Sequence, residues 1–389
     1  MHEQTKAIAK PKIGLVLTGG GARAAYQVGV LRAIADLLPD KTQNPFPVIC
    51  GTSAGAINAA SIAVSANNFA EGVGRLEAVW SNFHVNHIYR SDLLGVAHNT
   101  MRCLISLVSS EYSQRNGISL LDNSPLQDLL KNRFSFRTIQ HCIRSGALHA
   151  LGLTVWGYTS GQSVTFYQAS KQVLPWKRAQ RLGIPAEIGI EHLMASSAIP
   201  FIFPAVKLNR EFFGDGSMRQ LAPLSPALHL GANKVLIIGV RKMVTDEPAK
   251  RISATGYPPF AQIAGHALNS IFVDSLDVDL ERLLRINETL KLIPQEAFAQ
   301  RNITLRPVEA MMISPSQGIN EIALKYTQAL PRIMRYMYRA IGAMGPNGST
   351  LLSYVLFEMP FCRELIALGY TDTMQQKDEL LKFLEIPRV

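Results

Sequence analysis

Residues 13–34 read IGLVLTGGGARAAYQVGVLRAI, a five-residue apolar run followed by three glycines and a helical pattern. The run predicts a buried strand, and the apolar residues that follow recur at helical spacing on one stripe. Residues 48–64, VICGTSAGAINAASIAV, repeat this order with a second apolar run, a glycine-containing turn and an alanine-rich helix. Two consecutive strand–loop–helix units predict an α/β fold built on a parallel sheet.

The pattern of apolar and turn residues divides the rest of the chain into predicted strands and helices. Turn residues between two apolar runs predict a hairpin over 148–167, and further strands are predicted at 206–213, 234–241 and 307–313. Helical periodicity follows a double proline at 258–259 and continues to about residue 292, and the remainder reads as broken helices. We therefore predict a polar tail at 1–11, an α/β domain at 12–245 and a mainly helical C-terminal region at 246–389 that packs on it.

Composition narrows the class of protein. Of the 389 residues, 47% are apolar and 17% charged, which excludes a wholly disordered chain, and the net charge of +10 favours an anionic partner, either nucleic acid or a membrane face. The four cysteines are scattered without a CxxC pair, which is typical of an intracellular protein lacking a zinc knuckle. The polar start lacks a signal peptide's apolar core, and no run approaches the roughly 20 residues of a spanning helix.

Three consecutive glycines, Gly19, Gly20 and Gly21, precede the first helix. They let backbone N–H groups converge at a helix start that favours negative charge, so they are a candidate oxyanion or phosphate site. The spacing to Ala24 also matches a dinucleotide fingerprint, but the second strand lacks the acidic residue that binds the ribose. A P-loop is not indicated because no Lys-Ser/Thr follows. A glycine turn needed only for close packing is the structural alternative.

Ser53 lies in Gly-Thr-Ser-Ala-Gly between a buried strand and a helix, as a nucleophile elbow requires, although it could instead simply cap that helix. Asp215, in Gly-Asp-Gly-Ser, is a candidate base, with an ordinary turn as the alternative. His229 and His266 follow Asp215, so the order Ser–Asp–His of a triad is present. Both histidines fall in helical segments, which favours a structural role for them.

Four ordered blocks carry a resemblance to a known family. Residues 19–23 (GGGAR), 51–55 (GTSAG), 195–200 (ASSAIP) and 215–216 (DG) resemble those of bacterial patatin-like phospholipases, over residues 13–241. The resemblance implies a three-layer α/β fold with a helical extension, and lipid acyl hydrolysis by a Ser–Asp dyad without histidine, metal or cofactor. The family usually has glycine where this chain has Ala24, and glycine or alanine where it has Ser217.

The resemblance also implies roles for residues of this chain. Ser53 is the expected nucleophile and Asp215 the expected base, while Arg23 is expected to brace the loop or contact a substrate phosphate. Backbone N–H groups of the oxyanion hole come from Gly19, Gly20 and Gly21, and the motif is supported by Gly51, Gly55 and Gly216.

The expected partners are a phospholipid or other acyl-ester lipid and an anionic membrane surface, with no nucleic acid. We expect a cytoplasmic enzyme bound peripherally at the inner membrane face. The basic segment around Arg335 and Arg339, with Tyr336 and Tyr338, is the first candidate for the contact, and the apolar segment 91–109 is a second candidate or a core helix. A lipid-binding scaffold with a vestigial site and a Rossmann-type dinucleotide enzyme remain as alternative functions.

Overall fold

The computed structural model describes residues 12–92, 101, 105, 119–242, 257–294 and 305–387. Within them the strands are β1 (Ile13–Leu17), β2 (Val48–Thr52), β3 (Ala150–Gly157), β4 (Ser163–Ala169), β5 (Trp176–Arg178), β6 (Arg181–Pro185), β7 (Val206–Leu208), β8 (Glu211–Asp215), β9 (Lys234–Ile238) and β10 (Glu309–Ile313).

These strands form one sheet in the order β10-β9-β1-β2-β3-β4-β6-β5, with β8 on β3 and β7 on β8. The first five are mutually parallel, and antiparallel pairs occur on the β3–β4 side. The α/β class predicted from the strand–loop–helix units is therefore confirmed. The first two predicted strands, the hairpin over β3 and β4, and the last strand β10 are also confirmed.

The helices with described bounds surround this sheet. They are α1 (Ala25–Leu37), α2 (Ala54–Val64), α3 (Phe69–Trp80), α4 (Ser124–Arg133), α5 (Arg137–Ser145), α6 (Ile190–Ser196), α7 (Ser225–His229), α8 (Phe260–Asn269), α9 (Ser275–Lys291), α10 (Ile319–Lys325), α11 (Arg332–Ala340), α12 (Ser349–Val355), α13 (Met359–Gln375) and α14 (Lys377–Phe383).

Alternate strand residues enter two separate cores. Leu15 and Leu17 of β1 join the larger core, which α1, α2 and α13 cover, whereas Val16 joins a smaller core under α7 and α9. Period-two alternation of this kind places one core on each face of the sheet. The fold is therefore three-layered, with helices on both faces of a buried sheet.

Two strands meet end to end beside β3. The β3 edge away from β4 pairs with β2 up to Thr154 and then with β8 from Val155 onward. Because β2 is parallel to β3 and β8 is antiparallel to it, the carboxyl ends of β2 and β8 point toward each other. The residue after β2 is Ser53 and the last residue of β8 is Asp215, so the sheet register alone brings these two residues together.

Two local predictions differ from the structure. The single strand predicted over 206–213 is a hairpin, in which β7 and β8 pair around Asn209, whose positive φ of 53° suits a tight turn. The long helix predicted after Pro259 is interrupted by a π-helical segment at Ser270–Asp274 between α8 and α9. Neither interruption contains a glycine or a proline, because the β7–β8 turn is Asn209-Arg210 and the π-helical residues are SIFVD, so no breaker residue marks either one.

Residues beyond 246 share the core of the fold. β10 adds a parallel strand beside β9, and α13 packs along α1. The contact is close because a Cβ on Gly29 would meet the Ile366 carbonyl and one on Gly369 would meet the Tyr26 carbonyl. In the described part of the chain, no helix is long and apolar enough to cross a membrane.

Candidate active site

Ser53 occupies a strained turn between β2 and α2. Its φ of 56° and ψ of −131° lie where a non-glycine residue is uncommon, and its side chain makes no capping hydrogen bond to α2. Such a conformation costs about 1–3 kcal/mol and is characteristic of a serine on a nucleophile elbow. The helix-cap alternative therefore has no support in the geometry.

Three motif glycines permit the close approach that this turn requires. A Cβ on Gly51 would collide with the carbonyl of Gly55 and with α2, and one on Gly55 would collide with the carbonyl of Leu17 at the end of β1. A Cβ on Gly216 would meet the carbonyl of Thr154 on β3. Each glycine thus keeps the Ser53 turn or the Asp215 turn against the neighbouring strand.

The segment around α6 holds both candidate residues. The Ser53 N–H donates to Ser196 Oγ at 3.0 Å, and the Ser196 hydroxyl donates to the Thr154 carbonyl at 2.7 Å. The Asp215 N–H donates to the Ala198 carbonyl at 2.8 Å. Residues 196–198 therefore act as a common support, a role that the sequence analysis did not assign although these residues lie in one of the four blocks.

Asp215 is fully buried, and burial raises the pKa of its carboxyl to about 6. Its Oδ1 accepts the Ser217 N–H at 2.9 Å, and interactions with the Ser53 and Ser217 hydroxyls pull the pKa back down in part. Oδ2 has no partner that meets hydrogen-bond geometry, so the Ser53 contact is loose. Catalytic hydrogen bonds are often loose without substrate and tighten when it binds.

Neither histidine of the hypothetical triad joins this pair. His229 stacks on Trp176 with ring centroids 5.0 Å apart, and burial together with nearby arginines lowers its pKa to about 4. His266 lies on the exposed side of α8. Among the residues whose placement is described, no histidine lines the cavity beside Ser53.

That cavity has a volume of about 470 Å³ and begins at Ser53. Ala54, Ile57, Ser61 and Val64 place it along one face of α2, a helix about 16 Å long. Its other walls are mainly apolar and come from distant parts of the chain, including Trp80, Phe83, Ile88, Tyr89, Leu126, Leu130, Phe134, Ile199, Ile202, Phe203, Tyr354, Val355 and Phe357. Its shape and lining suit an extended apolar chain.

The glycine loop meets the cavity at one point. Gly21, with φ of 55°, lines it together with Ser53, whereas Gly19 packs against Ser217 and Phe272, and Gly20 packs against Val240. A Cβ on Gly21 would collide with the Tyr354 carbonyl of α12. Since α12 covers the helix start where a dinucleotide places its pyrophosphate, the geometry opposes the Rossmann hypothesis.

Arg23 points away from the cavity into the C-terminal region. Its guanidinium is buried, and the partners observed in the described structure are neutral. They are Ser353 at 2.8 Å, Asn320 at 2.9 Å, Asn269 at 3.3 Å, the Thr350 carbonyl at 3.4 Å and the Tyr354 ring at 3.9 Å. Burial lowers its pKa. Of the two roles expected for Arg23, this geometry favours bracing the loop over contacting a phosphate.

The two predicted membrane segments have different outcomes. On α11, Tyr336 is 72% exposed, but Tyr338 is buried and hydrogen-bonded to Tyr89, because residues two apart lie on different sides of a helix. Tyr338 therefore does not belong to the exposed basic surface. The apolar segment 91–109 lies outside the described residues, apart from residues 91, 92, 101 and 105.

Comparisons with known proteins bear on the family of this chain. The sequence model of the patatin-like phospholipase family matches residues 15–228. VipD from Legionella pneumophila is a similar solved structure, at 12% identity and a TM-score of 0.37, over 95% of this chain and 67% of VipD. The comparison with curated proteins gave no match.

Proposed function

Because the chain belongs to the patatin-like phospholipase family, we propose that it is a serine lipid acyl hydrolase in which Ser53 is the nucleophile and Asp215 the base. The observation that carries this proposal is the end-to-end meeting of β2 and β8, which puts a strained serine beside a buried carboxylate at an apolar cavity. The substrate is a phospholipid or another acyl-ester lipid, with the acyl chain along α2.

The proposed reaction has two halves. Asp215 takes the proton of Ser53 as Oγ attacks the ester carbonyl, and backbone N–H groups of the glycine loop stabilise the oxyanion, with Gly21 nearest the cavity. Asp215 then returns the proton to the departing alcohol. Water attacks the acyl-serine with Asp215 again as base, and the collapse of that intermediate releases the fatty acid and restores the Ser53 hydroxyl.

The raised pKa of Asp215 supports its role as base. An ordinary carboxylate is a weak base toward a hydroxyl, and efficiency improves as the pKa of the base approaches the working pH. At about 6, Asp215 is a stronger base than an exposed aspartate and is still mostly ionised at pH 7. Burial thus raises the pKa of this carboxylate base to near that of histidine, the base in a Ser–His–Asp triad.

Charge supports a membrane-associated site of action. The net charge of +10 favours an anionic lipid surface, where each nearby basic residue contributes about 1 kcal/mol. We propose that the enzyme binds peripherally to the cytoplasmic face of an anionic membrane. This attraction should weaken as salt rises, because it acts only over a Debye length.

A fluorophosphonate probe tests the proposal directly. We expect one labelled serine, Ser53, since only an activated hydroxyl attacks phosphorus quickly. Ser53→Ala should lose the label and at least about 1,000-fold in ester hydrolysis, with little change in melting temperature. Ser197→Ala is the matched control because Ser197 also lines the cavity. Labelling elsewhere, or none in folded protein, would leave the lipid-binding scaffold as the better explanation.

A further inference from the structure

Phe201 combines two unfavourable properties at one position. Its side chain is 75% exposed, and its φ of 65° places a bulky residue in the left-handed region. A large aromatic in this conformation is an outlier, and local strain of this kind tends to persist at functional positions. A serine or glycine at this position would not expose an aromatic ring to water. Both the exposed ring and the strained backbone therefore need a physical explanation.

The backbone around Phe201 is fixed on both sides. The Leu120 N–H donates to the Phe201 carbonyl at 2.8 Å, and the Leu121 N–H donates to the Ile202 carbonyl at 2.9 Å. The Phe203 N–H donates to the Ile199 carbonyl at 2.8 Å. These bonds hold the ring outward beside Leu120, which is itself 42% exposed. We call Phe201 and Leu120 the apolar tip.

The apolar tip adjoins the wall of the cavity. Ile199 and Ile202, on either side of the Pro200–Phe201 bend, both line it, and Ser197 lines it beside Ser53. The same segment supports Ser53 through Ser196 and Asp215 through Ala198. The outer end of this segment is therefore apolar and exposed, while its inner end touches the proposed nucleophile and base.

We propose that the apolar tip inserts into the headgroup–acyl boundary of an anionic lipid bilayer and sets the cavity against the membrane. The inference rests on the proposed function for its purpose, and on exposure, strain and continuity with the cavity for its location. An exposed aromatic and an aliphatic side chain gain free energy on leaving water, and the net charge of +10 selects the anionic surface. The tip replaces the basic face of α11 as the primary contact.

The test measures binding and turnover separately. Binding to phosphatidylglycerol–phosphatidylcholine vesicles is measured by co-sedimentation in a Ser53→Ala background, so that the lipid stays intact. Phe201→Ser should weaken binding about tenfold, the value expected from losing one buried aromatic. In the Ser53 protein, the same variant should lose vesicle hydrolysis to a similar degree and keep turnover of a soluble short-chain ester.

Leu174 provides a matched control. It is also 75% exposed, but it lies just before β5, an edge strand that is separated from β2 and Ser53 by the three strands β3, β4 and β6. Leu174→Ser should leave vesicle binding unchanged. Phe201→Gly is the second variant, because glycine adopts a positive φ without strain. It should melt at the same or a higher temperature than the parent and still lose vesicle binding.

Three results would overturn the inference. They are unchanged binding by both Phe201 variants, equal loss in Leu174→Ser, and loss of binding in an Arg335→Glu/Arg339→Glu variant but not in Phe201→Ser. Failure of the proposed function gives a different result, namely no fluorophosphonate label and no soluble-ester turnover. In that case a Phe201-dependent vesicle interaction would still establish the apolar tip as a lipid contact.

Discussion

Ser53 and Asp215 are positioned by contacts from the first 241 residues, whereas the glycine loop beside them rests on the C-terminal region. Ser196 and Ala198 support the serine and the aspartate. In contrast, Arg23, two residues beyond Gly21, is bonded to side chains 246 to 330 residues away in the chain. The carbonyl of Tyr354 also lies against the loop itself.

This difference separates two tasks of the proposed reaction. Proton transfer depends on a pair that the α/β sheet assembles by register, and oxyanion stabilisation depends on a loop that the helical region braces. Substitutions in the Ser53–Asp215 pair should abolish catalysis without lowering stability. Substitutions that remove the brace of the glycine loop should lower both catalysis and stability. The predictions below test that separation, beginning with the largest expected effect.

Asp215→Asn should lower kcat at least about 100-fold on every ester, because a general base contributes that much or more. The melting temperature should hold or rise, since the variant removes a buried carboxylate. His229→Ala and His266→Ala are the controls and should keep most activity. If either histidine variant matched Asp215→Asn while remaining folded, the dyad would be the wrong mechanism.

Arg23→Ala should destabilise the fold by about 2–4 kcal/mol, because it removes the hydrogen bonds of a buried guanidinium to Ser353 and Asn320 and its packing on the Tyr354 ring. Activity should fall equally on phospholipid and on a short-chain ester, since the guanidinium faces away from the cavity. Urea unfolding and both assays measure this. Arg32→Ala is the matched control on α1. The ion pair of Arg32 with Glu77 is exposed, so its loss should lower the free energy of unfolding by less than about 1 kcal/mol. A loss confined to phospholipid would assign Arg23 to the substrate.

The pH dependence should identify Asp215 as the titrating group. Its pKa is about 6 in the folded protein against 3.8 ordinarily, so kcat/KM on a soluble ester should fall about tenfold per pH unit below 6. A raised pKa means that the folded state holds the proton more tightly. This group therefore favours folding below pH 4, and that benefit, about 3 kcal/mol, is lost as pH rises through 6.

The pH profile has its own control. The rate of fluorophosphonate labelling at Ser53 should follow the same curve, because it needs the same base without substrate binding. Asp215→Asn should flatten the residual profile. If the rate of this variant still fell about tenfold per pH unit below pH 6, the titrating group would be a residue other than Asp215.

Ser196→Ala should give the smallest effect, about a five- to tenfold loss of kcat with little change in KM. The substitution removes one hydrogen bond to the Ser53 backbone, a contribution near 1 kcal/mol. Ser197→Ala, whose hydroxyl bonds to the Leu193 carbonyl within α6, should have less effect on kcat. Equal losses would show that the helix end as a whole, and not Ser196, positions the nucleophile.

Most of the sheet could be predicted from the sequence because its signals are local. Apolar runs followed by glycine turns located β1 and β2, and the turn residues of the β3–β4 hairpin lie next to the strands they join. The β7–β8 hairpin was predicted as one strand, since its two-residue turn, Asn209-Arg210, contains no glycine or proline. Motif order was enough to select Ser53 and Asp215 as candidates.

The rest depends on contacts that no local pattern contains. Arg23 was recognised as part of a block, but its partners lie in helices with no motif of their own. The cavity wall from Tyr354 to Phe357 coincides with an apolar run, which equally describes any core helix. The exposure of Phe201 follows from its positive φ and from pairing with Leu120, and neither is encoded as a pattern of residue types.

The sequence separation between Arg23 and Ser353 also sets a delay during translation. At a synthesis rate of about 5–20 residues per second, the 330 residues between them take roughly 20–70 s to translate. Over the last 138 of these residues, from Asp215 to Ser353, a nascent chain already contains the serine and the aspartate of the proposed dyad but not the Arg23–Ser353 hydrogen bond that braces its glycine loop. If oxyanion stabilisation needs this brace, the activity proposed here can begin only after Ser353 has been made and has folded onto the loop.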